Sequence, residues 1–206
     1  MTTALVVLAH PSPGSLNHAI AEAIERGLRD SGLEVRMHDL YQEGFDPLLS
    51  AAELDVTRSP AEIYAGTDDA LVREHRGHIS DASVLALVHP NWWGKPPAMM
   101  SGWIDRVLVP GVAYEMDDPV GLPRTLLNLR SLYVVNTSDT PAEREHAFFG
   151  DPLRAIWERC IGSFLGEPAF ERRVLRTVSD SDAGTRGKWL EEVAADAHRI
   201  GQSPGA

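Results

Sequence analysis

The feature that most constrains the fold is the opening segment, residues 3–17, with the sequence TALVVLAHPSPGSLN. An apolar run from Ala4 to Ala9 predicts a fully buried strand, and prolines, a glycine and small polar residues follow it directly. Apolar residues then recur at helical spacing from Leu16 to Leu28. A strand that leads through a tight polar loop into a helix is typical of anion sites in α/β proteins, because the first helical amides lack internal partners.

This loop differs from the two common glycine-rich phosphate loops. It has neither the G-x-G-x-x-G spacing of a dinucleotide loop nor the G-K-[ST] ending of a nucleotide-triphosphate loop. Ser15 and Asn17 offer neutral donors that can surround a phosphate without a lysine, which favours a bound cofactor over phosphoryl transfer. The alternative interpretation is an ordinary capped turn in which His10 and Ser15 satisfy backbone groups.

Composition limits the classes of partner. The chain has 206 residues and a formal net charge of −11, which disfavours nucleic acid or an anionic membrane surface. Cys160 is the single cysteine, so we expect no intrachain disulfide, no metal site and a reducing, cytoplasmic setting. We recognise no secretory signal and no apolar stretch long enough to span a bilayer. We expect one domain over residues 1–200 and a frayed tail at 201–206.

The pattern along the chain predicts five strands that alternate with helices. Strands are expected at about 3–9, 33–38, 83–89, 130–136 and 170–177, and helices at about 15–30, 68–80, from 97, at 152–165 and around 189–197. Such alternation predicts a parallel sheet with helices on both faces and with ligands outside the carboxyl ends of the strands. The loops at residues 10–17, 89–97 and 136–141 follow the carboxyl ends of the first, third and fourth predicted strands.

The loop after the third strand is rigid and aromatic, with the sequence HPNWWGKPP. Its adjacent Trp92 and Trp93 cannot easily enter one core, whereas a planar heterocycle needs an apolar wall and a few backbone donors. Gly94 permits close backbone approach, and the prolines hold the loop before binding. Packing of one or both indoles against a helix or a partner chain is the alternative. The loop 136–141 offers hydroxyls and an amide but also fits an ordinary turn.

Together these motifs resemble the flavodoxin-like NAD(P)H:quinone oxidoreductase family and its bacterial relatives. The resemblance covers nearly the whole chain. It rests on LAH and SLN at residues 8–10 and 15–17, on DLY and FDPLL at 39–41 and 45–49, and on PNWWGKPP, GWIDRV and AY at 90–97, 102–107 and 113–114. The implied fold is an α/β, flavodoxin-like three-layer sandwich with a five-stranded parallel sheet and helices on both faces.

The resemblance implies a tightly held flavin. The implied phosphate site is His10, Ser15, Leu16 and Asn17, and the implied ring site is Pro90, Asn91, Trp92, Trp93, Gly94, Asn136, Thr137 and Ser138. The long segment 45–70 favours FAD, with FMN as the alternative. Family members are homodimers, and Tyr114 matches a tyrosine that closes over the substrate from the neighbouring chain. A surface or dimer-core position for Tyr114 is equally expected.

The implied activity is that of an enzyme with a ping-pong sequence. Hydride passes from NAD(P)H to flavin N5 and then to a quinone or a similar small electron-poor acceptor. The family's glycine-bearing loop after strand four has no glycine here, and its tyrosine–histidine proton relay aligns with Glu143 and Phe149. We therefore assign no catalytic side chain, and we expect the nearby His146 to be solvated.

Other functions stay open at this point. A regulatory flavoprotein subunit of a potassium-efflux transporter is one alternative, and a flavodoxin-type electron carrier is a weaker one. A hydrolase is disfavoured because the sequence shows no Ser-His-Asp arrangement with a nucleophile elbow. We expect Cys160 in the core, because it lies on the apolar stripe of the helix at 152–165.

Overall fold

The chain folds around a parallel sheet, as described by a computed structural model that defines residues 3–51, 53–54, 57, 59, 62, 67, 69–115, 121 and 123–203. The strands are β1 (Thr3–Leu8), β2 (Glu34–Asp39), β3 (Ala82–Pro90), β4 (Tyr114–Glu115), β5 (Arg124–Thr125), β6 (Ser131–Ser138) and β7 (Ala169–Arg176). Five of them form a parallel sheet in the order β2-β1-β3-β6-β7, and β4 and β5 form a separate antiparallel pair. The predicted flavodoxin-like sandwich is confirmed.

Helices cover both faces of this sheet. They are α1 (Leu16–Asp30), α2 (Ala70–Asp81), α3 (Ala98–Val107), α4 (Ala142–Phe148), α5 (Pro152–Arg154), a π-helical segment (Ala155–Ile161), α6 (Gly162–Phe164), a 3-10 turn (Val178–Asp180) and α7 (Ala183–Gln202). The helix α7 runs to Gln202, and residues 204–206 lie outside the described residues. The division into one domain and a tail stays a prediction.

Alternation along the strands produces two hydrophobic cores. In β1, Leu5 and Val7 face the core formed with α2, α3 and the π-helical segment, where Trp103 and Trp157 are fully buried. Ala4, Val6 and Leu8 face the other core, formed with α1 and α7. A strand buried on both faces explains why the sequence shows a continuous apolar run there.

The position of α1 depends on a close contact with α7. A Cβ atom at Gly27 would lie 2.2 Å from the carbonyl oxygen of Ala194, so a side chain there would force the two helices apart. This packing fixes α1 against the sheet. The N-terminus of α1 is thereby held beside the carboxyl end of β1.

The structure corrects the predicted end of the fourth parallel strand. Residues 136–138 were expected in a loop, but they belong to β6 and are buried. The backbone of this strand end pairs with β3 on one side and with β7 on the other. This pairing satisfies the backbone hydrogen-bonding groups, although the polar side chains are of types that favour turns. The loop that leaves this strand therefore begins at Asp139.

The structure also corrects the expectation for Cys160, which is exposed. The apolar stripe predicted for residues 152–165 assumes an α-helical period, but the middle of this segment, Ala155–Ile161, is π-helical. The wider turn directs Leu153, Trp157 and Leu165 into the core and turns the thiol outward. A further difference is α4, which follows β6 as a separate seven-residue helix.

Candidate functional site

The candidate site lies where the strand order reverses. The chain passes from β1 outward to β2 and later enters β3 on the other side of β1, so the loops after β1 and β3 diverge and open a crevice. The Ala9 amide donates to the Val88 carbonyl (3.0 Å), and the Asn91 amide donates to the Thr137 carbonyl (2.7 Å). The loops after β1, β3 and β6 therefore start side by side, as the sequence predicted.

The start of α1 presents backbone donors to this crevice. Ser15 is the N-cap residue, and its side chain makes no capping hydrogen bond. Within the described residues, the amides of Leu16 and Asn17 have no hydrogen-bond acceptor. Two such amides at the positive end of a 15-residue helix are suited to an anion.

His10 and Asn17 flank these amides. His10 Nδ1 lies within hydrogen-bond distance of both the Ser12 amide (3.2 Å) and the Ser12 carbonyl (3.3 Å), so either tautomer of a neutral His10 finds a partner there, and burial lowers its pKa. The Asn17 side chain is buried and donates to Thr137 Oγ1 (3.1 Å), which ties α1 to β6. The His10 ring lies 6.4 Å from the ring of Trp92, measured between centroids. The predicted phosphate residues and the first indole are thus neighbours.

A serine, a histidine and an aspartate form a hydrogen-bonded series beside the same helix start. Ser15 Oγ lies 2.8 Å from His18 Nδ1, and His18 Nε2 lies 2.9 Å from Asp39 Oδ2. Both His18 and Asp39 are 8% exposed. The sequence shows no Ser-His-Asp arrangement with a nucleophile elbow, but the structure brings these three side chains together, because Asp39 at the end of β2 lies beside α1. Ser15 caps a helix here and does not sit on a nucleophile elbow.

The double-indole loop is a tight, strained turn. Trp92 and Lys95 exchange backbone hydrogen bonds (3.3 and 3.2 Å), and between them Trp93 adopts a φ of 59° and Gly94 a φ of 73°. A left-handed conformation is costly for a tryptophan. Trp93 is 98% exposed and Trp92 40% exposed, so neither indole is placed in the core. An aromatic wall therefore faces outward at this turn.

Contacts from distant parts of the chain hold this turn. The Gly94 amide donates to Asn91 Oδ1 (2.9 Å), and Asn91 Nδ2 donates to Glu145 Oε1 (3.0 Å). Glu145 is 2% exposed, and its other oxygen forms an ion pair with Arg176 of β7. Sequence reasoning missed Glu145, because a glutamate in a polar helix gives no sign that it is buried.

The turn borders a cavity of about 530 Å³. The lining residues come from the loops after β3 and β6, from α4 and its end, and from the start of α5: Asn91, Trp93, Gly94, Thr140, Glu145, Phe149 and Pro152. A Cβ at Gly94 would lie 2.6 Å from Pro152 Cγ, so glycine is required where the turn meets α5. Phe149 is 60% exposed at the rim. The cavity thus combines aromatic walls with a buried carboxylate.

The three predicted residues on β6 point in different directions. Thr137 lies on the α1 face beside Asn17, and Ser138 Oγ accepts from the Thr140 amide (3.2 Å). Asn136 is fully buried on the opposite face, where Arg172 Nε donates to its Oδ1 (2.8 Å) and its Nδ2 lies 3.0 Å from His89 Nε2. The side chain of Asn136 is therefore engaged within the protein.

His89 is the centre of this buried network. Trp157 Nε1 donates to its Nε2 (3.1 Å), and its Nδ1 donates to the Pro90 carbonyl (2.9 Å). Burial lowers the pKa of His89 to about 4, against the weaker opposing effect of the Pro90 hydrogen bond. His89 Nε2 accepts hydrogen bonds from Trp157 Nε1 and Asn136 Nδ2, which requires that this nitrogen carries no proton, as in a neutral imidazole. The network anchors the start of the double-indole loop from below.

Tyr114 lies on a different surface. Its ring packs edge-on against Phe164 at 4.9 Å between centroids, and burial raises its pKa. It lines an apolar groove of about 410 Å³ with residues such as Leu49, Ile104 and Cys160. Tyr114 is not among the residues that line the cavity at the double-indole turn. Within one chain, the structure does not bring it to the predicted ring site.

One group of described residues has the spacing of metal ligands. Ligand atoms of His38, Glu43 and His75 lie within 4.8 Å of one another. However, Trp103 Nε1 donates to His75 Nδ1 (2.9 Å), so a neutral His75 carries its proton on Nε2 and donates to Glu43 (3.1 Å). A metal-bound histidine instead donates from its second nitrogen to an acceptor. The group fits a hydrogen-bond network better than a cation site.

The sheet topology and the loop cluster define an α/β protein with a crevice at the carboxyl edge of a parallel sheet, where proteins of this architecture bind ligands. The chain belongs to the flavodoxin-like fold family, whose model matches residues 2–184. It is 36% identical over 121 residues to an uncharacterized NAD(P)H oxidoreductase of Haemophilus influenzae, covering 57% of each chain. It is 32% identical over 122 residues to NAD(P)H dehydrogenase [quinone] 1 of Rattus norvegicus, covering 54% of this chain and 44% of the relative. The chain thus spans about half the length of these relatives.

Solved structures agree with this assignment. The structure of Smu.1420 from Streptococcus mutans superposes with a TM-score of 0.81 at 28% identity, covering 97% of this chain and all of that one. An FMN-dependent NADH-azoreductase from Bacillus anthracis, in complex with FMN, shares the fold with a TM-score of 0.74 at 14% identity, covering 98% of this chain and all of that one. Among the described residues, no helix combines the length and apolarity needed to cross a membrane.

Proposed function

We propose that this chain is a flavin-dependent NAD(P)H oxidoreductase that reduces a quinone or a similar small electron-poor acceptor by a ping-pong sequence. One observation carries the proposal: the free amides at the start of α1 and the outward aromatic turn at Trp92 and Trp93 lie side by side at one edge of the sheet. The names of the relatives from Haemophilus influenzae and Rattus norvegicus support the activity.

The residues present fit a flavin phosphate. The Leu16 and Asn17 amides have no acceptor within the described residues, Ser15 directly precedes them, and the His10 ring lies 6.2 Å from the ring of His18 in the same helical turn. These groups would bind the phosphate without a lysine or a metal ion. FAD is proposed, with FMN as the alternative that the Bacillus anthracis neighbour supports. Much of the segment 45–70, which favoured FAD, lies outside the described residues.

The residues of the ring site would position the flavin ring and shield it from water. A bound flavin supplies the redox chemistry, taking hydride from NAD(P)H and delivering it to the acceptor. Trp92 and Trp93 would form an apolar wall, and Gly94 allows the backbone to approach the ring edge. Thr137 and Ser138 contribute through the backbone and hydroxyls of the strand end. Asn136 would act from below through His89 and the Pro90 carbonyl.

The quaternary structure and compartment belong to the same proposal. We propose a homodimer in the cytoplasm in which Tyr114 of one chain closes the acceptor site of the other. The apolar groove that includes Tyr114, Ile104 and Phe164 is suited to contact with a second copy. Small-molecule partners are proposed, with neither nucleic acid nor membrane insertion.

The test combines spectroscopy with turnover. The purified protein is expected to show flavin absorbance, and mass spectrometry of the released cofactor distinguishes FAD from FMN. Steady-state oxidation of NADH or NADPH with menadione is then measured on the flavin-loaded protein. Turnover supports the oxidoreductase, and a flavin-loaded protein without turnover supports the regulatory alternative. Protein that neither carries nor binds a flavin contradicts the proposal.

A further inference from the structure

The side chain of Asp39 fixes the proton position on His18. Asp39 Oδ1 accepts from the amides of Tyr41 and Gln42 (3.1 and 3.2 Å), and Oδ2 lies 2.9 Å from His18 Nε2. An ionised carboxylate can only accept hydrogen bonds, so His18 Nε2 carries a proton. In a neutral His18, the other ring nitrogen, Nδ1, is therefore unprotonated and can only accept.

This assignment determines what the Ser15 hydroxyl can do. Ser15 Oγ lies 2.8 Å from His18 Nδ1, and the hydroxyl has one proton to donate. While His18 is neutral, that proton is directed at Nδ1. Ser15 then turns only lone pairs toward the start of α1, where they would repel an anion.

We propose that anion binding at the start of α1 is coupled to the uptake of one proton by His18. The proton comes from solvent and binds Nδ1, which then donates to Ser15 Oγ, and Ser15 keeps its own proton and turns it toward the anion. The inference rests on the proposed function, in which the anion is a flavin phosphate. Binding and proton uptake are reciprocal, because each makes the other more favourable.

The surrounding charges favour this arrangement. Within the loop at residues 10–17 there is no lysine or arginine, and the chain has a net charge of −11, so the phosphate needs a local cation. A protonated His18 would pair with the Asp39 carboxylate through Nε2 and would act on the phosphate through the Ser15 hydroxyl. Glu22, one turn further along α1, is exposed. The new charge is thus compensated on two sides although it is buried.

His10 is the other titratable group that faces His18, and it behaves differently. The two rings are 6.2 Å apart between centroids. A neutral His10 that accepts from the Ser12 amide at Nδ1 has a proton on Nε2 to donate. In that tautomer His10 can bind an anion without taking up a second proton. A cation at His18 would disfavour one at His10 through their mutual repulsion.

Isothermal titration calorimetry tests this coupling directly. The apoprotein is titrated with FMN, FAD and riboflavin at pH 8 in buffers of different ionisation enthalpy, which gives the number of protons bound per ligand. We expect about one proton for FMN and FAD, because His18 Nδ1 takes up a proton when the phosphate binds, and none for riboflavin, which lacks the phosphate. Between pH 7.5 and 8.5 the Kd for FAD should rise by up to about tenfold.

Four variants locate the proton. His18→Gln and Ser15→Ala are each expected to abolish uptake and to remove the pH dependence of Kd. Ser15 makes no side-chain cap bond to α1, so Ser15→Ala should fold, and circular dichroism checks this. His10→Gln should weaken binding but retain uptake, and Glu22→Gln should behave as the unmodified protein. In addition, 15N NMR should show His18 protonated on both ring nitrogens only in the complex.

The outcomes separate the inference from the function on which it rests. Flavin binding with no proton uptake and a constant Kd from pH 6.5 to 8.5 overturns the coupling and leaves the flavin site standing. Uptake that persists in His18→Gln overturns the assignment to His18. If neither FMN nor FAD binds at any pH, both the coupling and the proposed function are overturned.

Discussion

The two halves of the candidate site are built in opposite ways. The anion-binding half uses residues 10–18, a continuous segment, and its distant side-chain contacts are those of His18 with Asp39 and of Asn17 with Thr137. The aromatic half is a turn of a few residues whose shape depends on Glu145 and Arg176, more than 50 positions away along the chain. The comparison teaches that a helix start supplies its donors by local geometry, whereas an exposed, strained turn needs support from elsewhere in the fold.

Among the substitutions considered for the aromatic half, Glu145→Ala is expected to have the largest effect. It removes the carboxylate that forms the ion pair with Arg176, whose side chain is 23% exposed, and it removes the acceptor for Asn91. We expect a loss of about 3 kcal/mol in the free energy of unfolding and weaker flavin binding. The exposed Glu143 on the same helix is the control, and Glu143→Ala should change stability by less than about 0.5 kcal/mol. Equal effects of the two substitutions in urea unfolding would show that the turn does not depend on Glu145.

The anion-binding half is challenged by replacing Ser15 and Asn17 together with leucine. The two side chains would fill the space in front of the α1 amides, and we expect a colourless protein whose flavin Kd is raised at least about 100-fold, or about 2.7 kcal/mol. Urea unfolding should show that the variant is folded. Full retention of flavin would contradict the proposed phosphate site.

Gly94→Ala tests the geometry of the turn itself. The new Cβ would meet Pro152 Cγ at 2.6 Å, and the φ of 73° disfavours alanine, so we expect a loss of about 1–2 kcal/mol in stability. Gly77→Ala is the matched control. Gly77 lies inside α2 with no atom within 4 Å of the added Cβ, and alanine should stabilise the helix by up to about 1 kcal/mol. A stabilising Gly94→Ala would mean that the turn adjusts freely.

A pH titration extends the comparison to a third polar group, which lies in neither half. Burial of Glu43 opposes its ionisation, but hydrogen bonds from His38 and His75 outweigh this and lower its pKa to about 2 from 4.5. A lowered folded-state pKa stabilises the fold above pH 4.5, and this contribution is lost as the pH falls from about 4.5 toward 2. We expect about 1 kcal/mol after screening by solvent. Glu43→Gln should flatten this part of the stability curve, and an unchanged curve would refute the assignment.

The smallest effect on stability is expected for Trp93→Gly, which should raise stability slightly while it weakens flavin binding. Trp93 is 98% exposed at a φ of 59°, so Trp93→Gly removes strain and few contacts. We expect stability to rise by about 0.5 kcal/mol while the flavin Kd rises about tenfold. The isothermal titration that measures Kd and a thermal melt together check this. A large loss of stability would place the indole in the core after all.

Much of the fold was predictable, because its signals are periodic. The apolar run at Ala4–Ala9 and the helical spacing from Leu16 depend on local burial, and the structure confirms them. The loops at the carboxyl edge followed from the alternation of strands and helices. The end of β6 was not predictable from composition, since pairing on both sides overrides the turn preference of Asn136 and Ser138.

The contacts that define the site were harder to predict than its location. Asp39 begins the DLY motif at 39–41, and His18 directly follows the SLN motif at 15–17. Their pairing nevertheless depends on the order of β1 and β2 in the sheet. The burial of Glu145 depends on Arg176 from another strand. The π-helical turn that exposes Cys160 has no signal in the apolar stripe. Each of these features arises from tertiary contacts between distant segments.

The central claim is that one flavin joins the two halves, with its phosphate on the α1 amides and its ring against the double-indole turn. A crystal structure of the protein soaked with FAD tests this most directly. We predict phosphate density within hydrogen-bond distance of the Leu16 and Asn17 amides and the isoalloxazine ring beside Trp92, Trp93 and Gly94. A crevice closed by the chain's own side chains, or a flavin bound elsewhere, would contradict the account.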